Sequence, residues 1–351
     1  MHTRGRTTLA LFLLLAPFPA AASGTPAPVP LPARLAVPAS ARQGDPFFVL
    51  AWPAVPDAPD LGAPGTFARI RYSDGSTGPA FPAWTPPRPP MDARLRYLLA
   101  SEEGRPGLSP AWKAASRRAG FALAAIPVDA PAGPATLSLE NGSGVLGTAV
   151  LVVLERVFPS ETIVLTPALT GIRADPDPRK DEQARRYQAL IGSADPAALF
   201  LQGGFRRPVA GNRQTSLFGH RRTYRYSTGG TATSVHAGID YGYPTGTPVS
   251  AAGAGRVVMA EDRLTTGLTV VIEHLPGVFT IYMHLSAISA KAGDILGRGD
   301  PLGLVGATGL ATGPHLHWEL RVGGVACDPE ALIGLDKVPD IRTMYPAIEG
   351  G

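Results

Sequence analysis

The chain has 351 residues, 44% of them apolar, with 32 Lys and Arg against 28 Asp and Glu. That near balance excludes a nucleic-acid protein built on a concentrated basic patch, and a single cysteine excludes an internal disulfide. Abundant glycine (41) and proline (37), with few long helical patterns, point to a mainly β protein long enough for two domains.

Residues 1–23 read as a signal peptide: Arg4 and Arg6, an apolar run from Leu9 to Phe18, then Ala20-Ala21-Ala22-Ser23. The apolar run is too short for a secure membrane span. Its removal leaves 30 basic against 28 acidic residues, a mild positive balance. Cys327 lies far from this segment, so the expected product has no lipid-modified anchor. It is expected to be secreted to the periplasm or envelope of a bacterium, or into the medium.

Residues 24–33 form a proline-rich, extended leader. Strand candidates follow at 34–37, 46–51, 67–72, 121–127, 135–139 and 148–157, separated by turn clusters such as Gln43-Gly44-Asp45 and Asn141-Gly142-Ser143-Gly144. Short strands at this spacing predict an immunoglobulin-like β-sandwich over 34–157, without the cysteine and tryptophan marks of true immunoglobulins. The proline-rich stretch from Phe81 to Pro110 reads as irregular. Asn141-Gly142-Ser143 reads as a turn rather than a glycosylation acceptor.

Residues 158–204 are expected to be a helical linker. Ala184, Tyr187, Leu190 and Ile191 fall on one helical stripe, Asp175-Pro176-Asp177-Pro178 starts the helix and Gly192 ends it. Its charges read as a solvated face.

Residues 205–334 carry the chemistry. Thr215-Ser216-Leu217-Phe218-Gly219-His220-Arg221-Arg222 enters this domain, and 223–235, with Tyr224 and Tyr226, reads as a loop. His236 and Asp240 bracket Ala237-Gly238-Ile239, whose glycine and following turn argue against a helix. Tyr282-Met283-His284-Leu285 offers an inward histidine. In Gly313-Pro314-His315-Leu316-His317-Trp318-Glu319, the alternation of Leu316, Trp318 and Leu320 makes a strand with both histidines on one face. Zinc takes imidazole nitrogen and carboxylate oxygen, and a catalytic site needs three protein ligands with a fourth position left for water. His236, Asp240 and one of the His315/His317 pair make such a set. His220 and His274 read as structural, and Cys327 as a small buried apolar residue.

The order His-x-x-x-Asp, Tyr-x-His-Leu, then Thr-Gly-x-x-Thr-Gly-Pro-His-Leu-His-x-Glu resembles the lysostaphin and LytM family of zinc metalloendopeptidases. The resemblance covers about 205–334. It implies a compact antiparallel barrel-sandwich domain, the duplicated hybrid motif, holding one Zn2+ through His236, Asp240 and His317, with His284 and His315 as the catalytic pair. It further implies a tyrosine near the substrate carbonyl, Tyr224 or Tyr226, and peptide bonds of bacterial peptidoglycan as substrate. No His-Glu-x-x-His helix supplies a glutamate base, so His284 and His315 are the candidates for proton transfer and oxyanion stabilisation. Glu319 is a candidate for orienting a histidine. Some relatives have degenerate sites and activate wall amidases without catalysis; a non-catalytic wall-binding or activating protein is therefore the alternative. Residues 335–351 are left as a tail.

Overall fold

The computed structural model describes residues 31–55, 57–85, 119–201 and 204–333. The expected signal peptide and tail, most of the leader, and 86–118, which takes in most of the irregular stretch, lie outside them.

The amino-terminal strands are β1 (Ala33–Ala36), β2 (Ser40–Arg42), β3 (Pro46–Pro53), β4 (Phe67–Arg71), β5 (Thr77–Trp84), β6 (Gly120–Ala125), β7 (Gly133–Asn141) and β8 (Gly144–Leu154). They form one eight-stranded sheet in the order β1-β3-β6-β5-β4-β7-β8-β2. The sheet curls back on itself: Gly147 of β8 lies so near β1 that a Cβ would stand 2.6 Å from the Ala33 carbonyl oxygen. Between the turned layers lie Ile70, Phe81, Ile126, Leu137, Leu139 and Leu151, all fully buried. Asn141-Gly142-Ser143-Gly144 is the β7–β8 hairpin turn, where Asn141 Oδ1 accepts the Ser143 N–H at 2.8 Å and Gly144 takes φ +120°. β5 carries Pro79 and Pro82 and is invisible to a reading that treats proline as a strand breaker.

The span 158–204, expected as a helical linker, is seated on the carboxy-terminal domain instead of bridging to it freely. β9 (Ser160–Val164) pairs in parallel with β11 (Arg221–Arg225), which also pairs with β12 (Thr231–Val235). Helix α1 (Pro167–Ala174), unforeseen in the sequence, is capped by Thr166. Helix α2 (Pro178–Ile191) starts where the Asp-Pro pair predicts: Asp177 accepts the Arg179 N–H, Pro178 supplies the preset φ of the first turn, and Gly192 is the C-cap. Its stripe is shifted from the expected one. Ala184 is exposed, while Tyr187 and Ile191 pack with Met259, Val271, Phe279, Ile281 and Met283 in a second core.

The remaining strands are β10 (Gln214–Ser216), β13 (Gly238–Tyr241), β14 (Pro248–Ser250), β15 (Gly255–Arg263), β16 (Gly267–Leu275), β17 (Val278–Ile288), β18 (Ile295–Leu296), β19 (Pro301–Val305), β20 (Leu316–Val322) and β21 (Val325–Cys327). They make a ten-stranded sheet whose main path is β10-β13-β20-β17-β16-β15-β18, with β19 joining β14 to β17 and β21 flanking β20. β16 and β17 are buried on both faces, because α2 covers the side opposite the main core; their apolar residues accordingly run on instead of alternating. Among the described residues no helix is long and apolar enough to cross a membrane.

His274 on β16 is structural. It is fully buried, with Nδ1 on the Ala254 carbonyl at 2.8 Å and Nε2 on Thr280 Oγ1 at 2.7 Å. Burial drives its pKa down to about 4, whereas the unfolded chain takes up this proton near 6.5. Unfolding therefore binds a proton between those values, so stability falls as pH drops from about 6.5 to 4, by about 3 kcal/mol from this residue. Urea unfolding across that window should show the loss, and His274→Gln should flatten the slope.

Candidate metal centre

β13 and β20 are antiparallel neighbours with Asp240 directly opposite His317. Cross-strand partners on one face stand side by side, and this register joins a carboxylate and an imidazole 77 residues apart in sequence. His236 enters from just before β13, an even number of residues from Asp240 and so on the same face. Gly238 between them is obligatory, since a Cβ there would overlap the Trp318 carbonyl on β20.

The three donor atoms converge. His236 Nε2 is 3.1 Å from Asp240 Oδ1 and 3.0 Å from His317 Nδ1, and His317 Nδ1 is 2.8 Å from Asp240 Oδ1. Among the described residues this is the one group of His, Cys, Asp and Glu side chains arranged to hold a metal ion, and all three are buried. Tetrahedral donors about 2.0–2.1 Å from zinc stand about 3.3 Å from one another, so a small outward shift fits the ion.

Each histidine of the pocket has one nitrogen tied down. His236 Nδ1–H donates to the Leu217 carbonyl at 2.7 Å and His317 Nε2–H to Glu319 Oε1 at 2.9 Å. His284 Nδ1–H donates to the Thr308 carbonyl and His315 Nδ1–H to the Gly313 carbonyl, both at 2.8 Å. In the neutral ring these acceptors select the tautomer and turn the other nitrogen of each histidine toward the pocket. The His284 ring lies 4.8 Å from that of His315 and 6.2 Å from that of His317. His315 Nε2 is 3.8 Å from Asp240 Oδ1. His315 itself sits just off β20, bridged to Gly306. His284 alone among the described non-glycine residues has positive φ, +62°, a local strain that aims its ring.

Burial would raise the Asp240 carboxyl, but the hydrogen bonds and charge of His236 and His317 hold it well below the usual carboxylate range. Burial likewise works against the charged form of His317, yet Asp240 and Glu319 outweigh it and lift the imidazole to about 9. His284 goes the other way: burial, reinforced by His315 and His317, pushes it down to about 3. A neutral imidazole is the form able to take a proton.

Residues 234–329 match peptidase family M23. This part of the chain is an M23 peptidase domain. The chain is 40% identical over 141 residues to the DD-carboxypeptidase/endopeptidase Mpg of Neisseria meningitidis serogroup B, covering 38% of this chain and 30% of that protein. It is 43% identical over 126 residues to the peptidoglycan DD-endopeptidase ShyA of Vibrio cholerae, covering 35% of this chain and 29% of that one. The similarity thus spans less than a third of each relative. In fold, it resembles a Pseudomonas aeruginosa protein assigned to peptidase M23, with a TM-score of 0.52 at 24% identity over 83% of this chain and 94% of that one.

Around the M23 site stand Arg222, Ser216 and Glu161, to which the sequence reading gave no role in the metal centre. Arg222 of β11 donates to Asp240 Oδ2 at 2.6 Å and to Ser216 Oγ at 2.8 Å, and pairs with Glu161 of β9. It thereby occupies one carboxylate oxygen of Asp240 and leaves Oδ1 to the histidines. Ser216 also approaches His220 Nδ1 at 3.2 Å, so His220 is half-buried with a partner. Of the two tyrosines, Tyr224 is buried with the Arg173 guanidinium 3.8 Å over its ring, while Tyr226 is half-buried at the β11 turn. The signal available for Arg222 was its alternation with Tyr224 on a strand, too common to mark a role.

Proposed function

We propose that this protein is a secreted zinc-dependent endopeptidase acting on peptide bonds of bacterial peptidoglycan, working in the cell envelope. The observation that carries the reading is the convergence of His236, His315 and His317 on Asp240, with the His284 ring beside those of His315 and His317, each imidazole with its outer nitrogen held by an acceptor. His236 Nε2, Asp240 Oδ1 and His317 Nδ1 would hold the ion. Zinc in that set supplies Lewis-acid chemistry, polarising a peptide carbonyl and acidifying water. His284 and His315 hold and move protons at Nε2, and their N–H groups stabilise the oxyanion of the tetrahedral state. One relative is named a peptidoglycan DD-endopeptidase and another a DD-carboxypeptidase/endopeptidase, which favours cross-links between D-centres as the bonds cut. Tyr226, less enclosed than Tyr224, is the better placed of the two to meet substrate.

For the domains we propose a division at 34–157, 158–204 and 205–334, the first an immunoglobulin-like β-sandwich that spaces, targets or covers the peptidase. The two halves are firmly joined. Arg156 bridges Asp328 at 2.7 Å and Asp45 at 3.5 Å, and Phe158 meets Phe218 edge-on.

The test is purified peptidoglycan of several bridge chemistries incubated with the protein, with and without a chelator, and new termini identified by mass spectrometry. Chelator-sensitive release of new amino groups is expected. A zinc-loaded sample that cuts nothing, with residues 34–157 present or removed, would favour the non-catalytic activator instead.

A further inference from the structure

Helix α2 lies outside the stretch that matches the family, yet one of its side chains reaches the metal centre. Tyr187 is 6% exposed, and its hydroxyl donates to Glu319 Oε2 at 3.0 Å. The same oxygen accepts Arg321 Nε at 2.7 Å, while Oε1 accepts His317 Nε2–H at 2.9 Å. The line Tyr187–Glu319–His317–Asp240 therefore runs unbroken from the helix to the donor set.

Glu319 has two competing partners. A carboxylate beside an arginine in a water-poor site favours a two-point pair, with both oxygens on the guanidinium. In this structure Arg321 gives Glu319 only Nε, and its Nη1 turns to the Gly324 carbonyl. The Tyr187 hydroxyl shares Oε2 with Arg321 Nε, a second donor that fixes the rotation of the carboxylate. Oε1 is then left on His317, whose Nε2 is thereby kept protonated and whose Nδ1 faces Asp240.

We propose that Tyr187 is a positioning residue of the metal centre, acting through Glu319 to hold the His317 ring in its ligating tautomer and orientation. This rests on the metal-site reading above. It also makes α2 a working part of the peptidase domain: a fragment beginning at residue 205 would lack the prop under its third ligand.

The hydroxyl's part is separable from that of the helix. Tyr187→Phe keeps the ring under the Arg263 guanidinium, 4.8 Å away, and keeps the second core filled. Arg186→Ala, one residue away, breaks the ion pair of α2 with Glu261 at 2.6 Å and does not touch Glu319. Zinc affinity of the full chain is measured by competition with a chromophoric chelator, and the His317 Nε2–H resonance is followed by NMR. Tyr187→Phe should weaken zinc binding roughly tenfold, the lower end of what loss of an outer hydrogen-bond partner costs. It should also speed exchange of that proton, while Arg186→Ala leaves both unchanged. Equal affinity in Tyr187→Phe and wild type would overturn the proposal, as would an equal loss in both variants, which would place the effect in helix packing. A wild-type chain that binds no zinc would instead remove the metal-site reading itself, a failure visible before any variant is compared.

Discussion

Asp240→Ala should cost the protein both its metal and much of its stability. In the wild type the carboxylate takes Arg222 on Oδ2 at 2.6 Å and both histidines on Oδ1. Removing it leaves the Arg222 guanidinium, whose side chain is 13% exposed, with Glu161 and Ser216 as its remaining partners, and breaking a buried pair from one side costs up to about 3–5 kcal/mol. That is a large part of the roughly 5–15 kcal/mol that holds a domain together. Urea unfolding in excess chelator isolates this part from the metal's own contribution. Stoichiometric zinc in Asp240→Ala would refute the ligand assignment.

His315→Ala should separate chemistry from binding in the opposite sense. His315 lies beside the donor set, its Nε2 3.8 Å from Asp240 Oδ1, and its side chain is 15% exposed. Truncation there opens little core and leaves His236, Asp240 and His317 in place. Zinc content and unfolding midpoint should stay near wild type while kcat on isolated peptidoglycan falls by about 10²–10⁴-fold, the usual contribution of a positioned acid or base. His284→Ala should lose activity on the same scale. In addition, His284→Gly should be the more stable of the two variants at that position by about 1 kcal/mol, because only glycine takes φ +62° without a side-chain clash. Full activity in a zinc-loaded His315→Ala protein would remove His315 from the mechanism.

Much of the site was legible before any coordinates. Period-two alternation through Leu316, Trp318 and Leu320 is a local signal that marks the strand carrying His317 whatever that strand later pairs with, although His315, expected on the same strand, sits just before it. The spacing from His236 to Asp240 across Gly238 is equally local. So are the ends of α2, where Asp177 and Pro178 satisfy the first turn and Gly192 closes the last. Turn chemistry at Asn141-Gly142 likewise marked a turn without knowledge of its sheet.

What the sequence left open depends on contacts between distant segments. β5 escaped because Pro79 and Pro82 argue against a strand when read alone, and only pairing with β4 and β6 offsets them. Ala184 was placed on the buried stripe because periodicity tells which residues share a face but not where a sheet will touch it. Ser216 belongs to the centre because β10 pairs with β13, and Arg222 and Glu161 because the separate β9–β11 sheet turns the guanidinium onto Asp240. Tyr187 belongs to it because α2 packs over β17 and β20, bringing its hydroxyl to a carboxylate 132 residues onward. The sequence by itself determined the chemical types and their local faces, since those follow from backbone geometry over a few residues. Only the tertiary structure decided which nitrogen of each histidine is free and which charge steadies which ligand, because hydrogen-bond partners in a water-poor interior are chosen by packing and not by position along the chain.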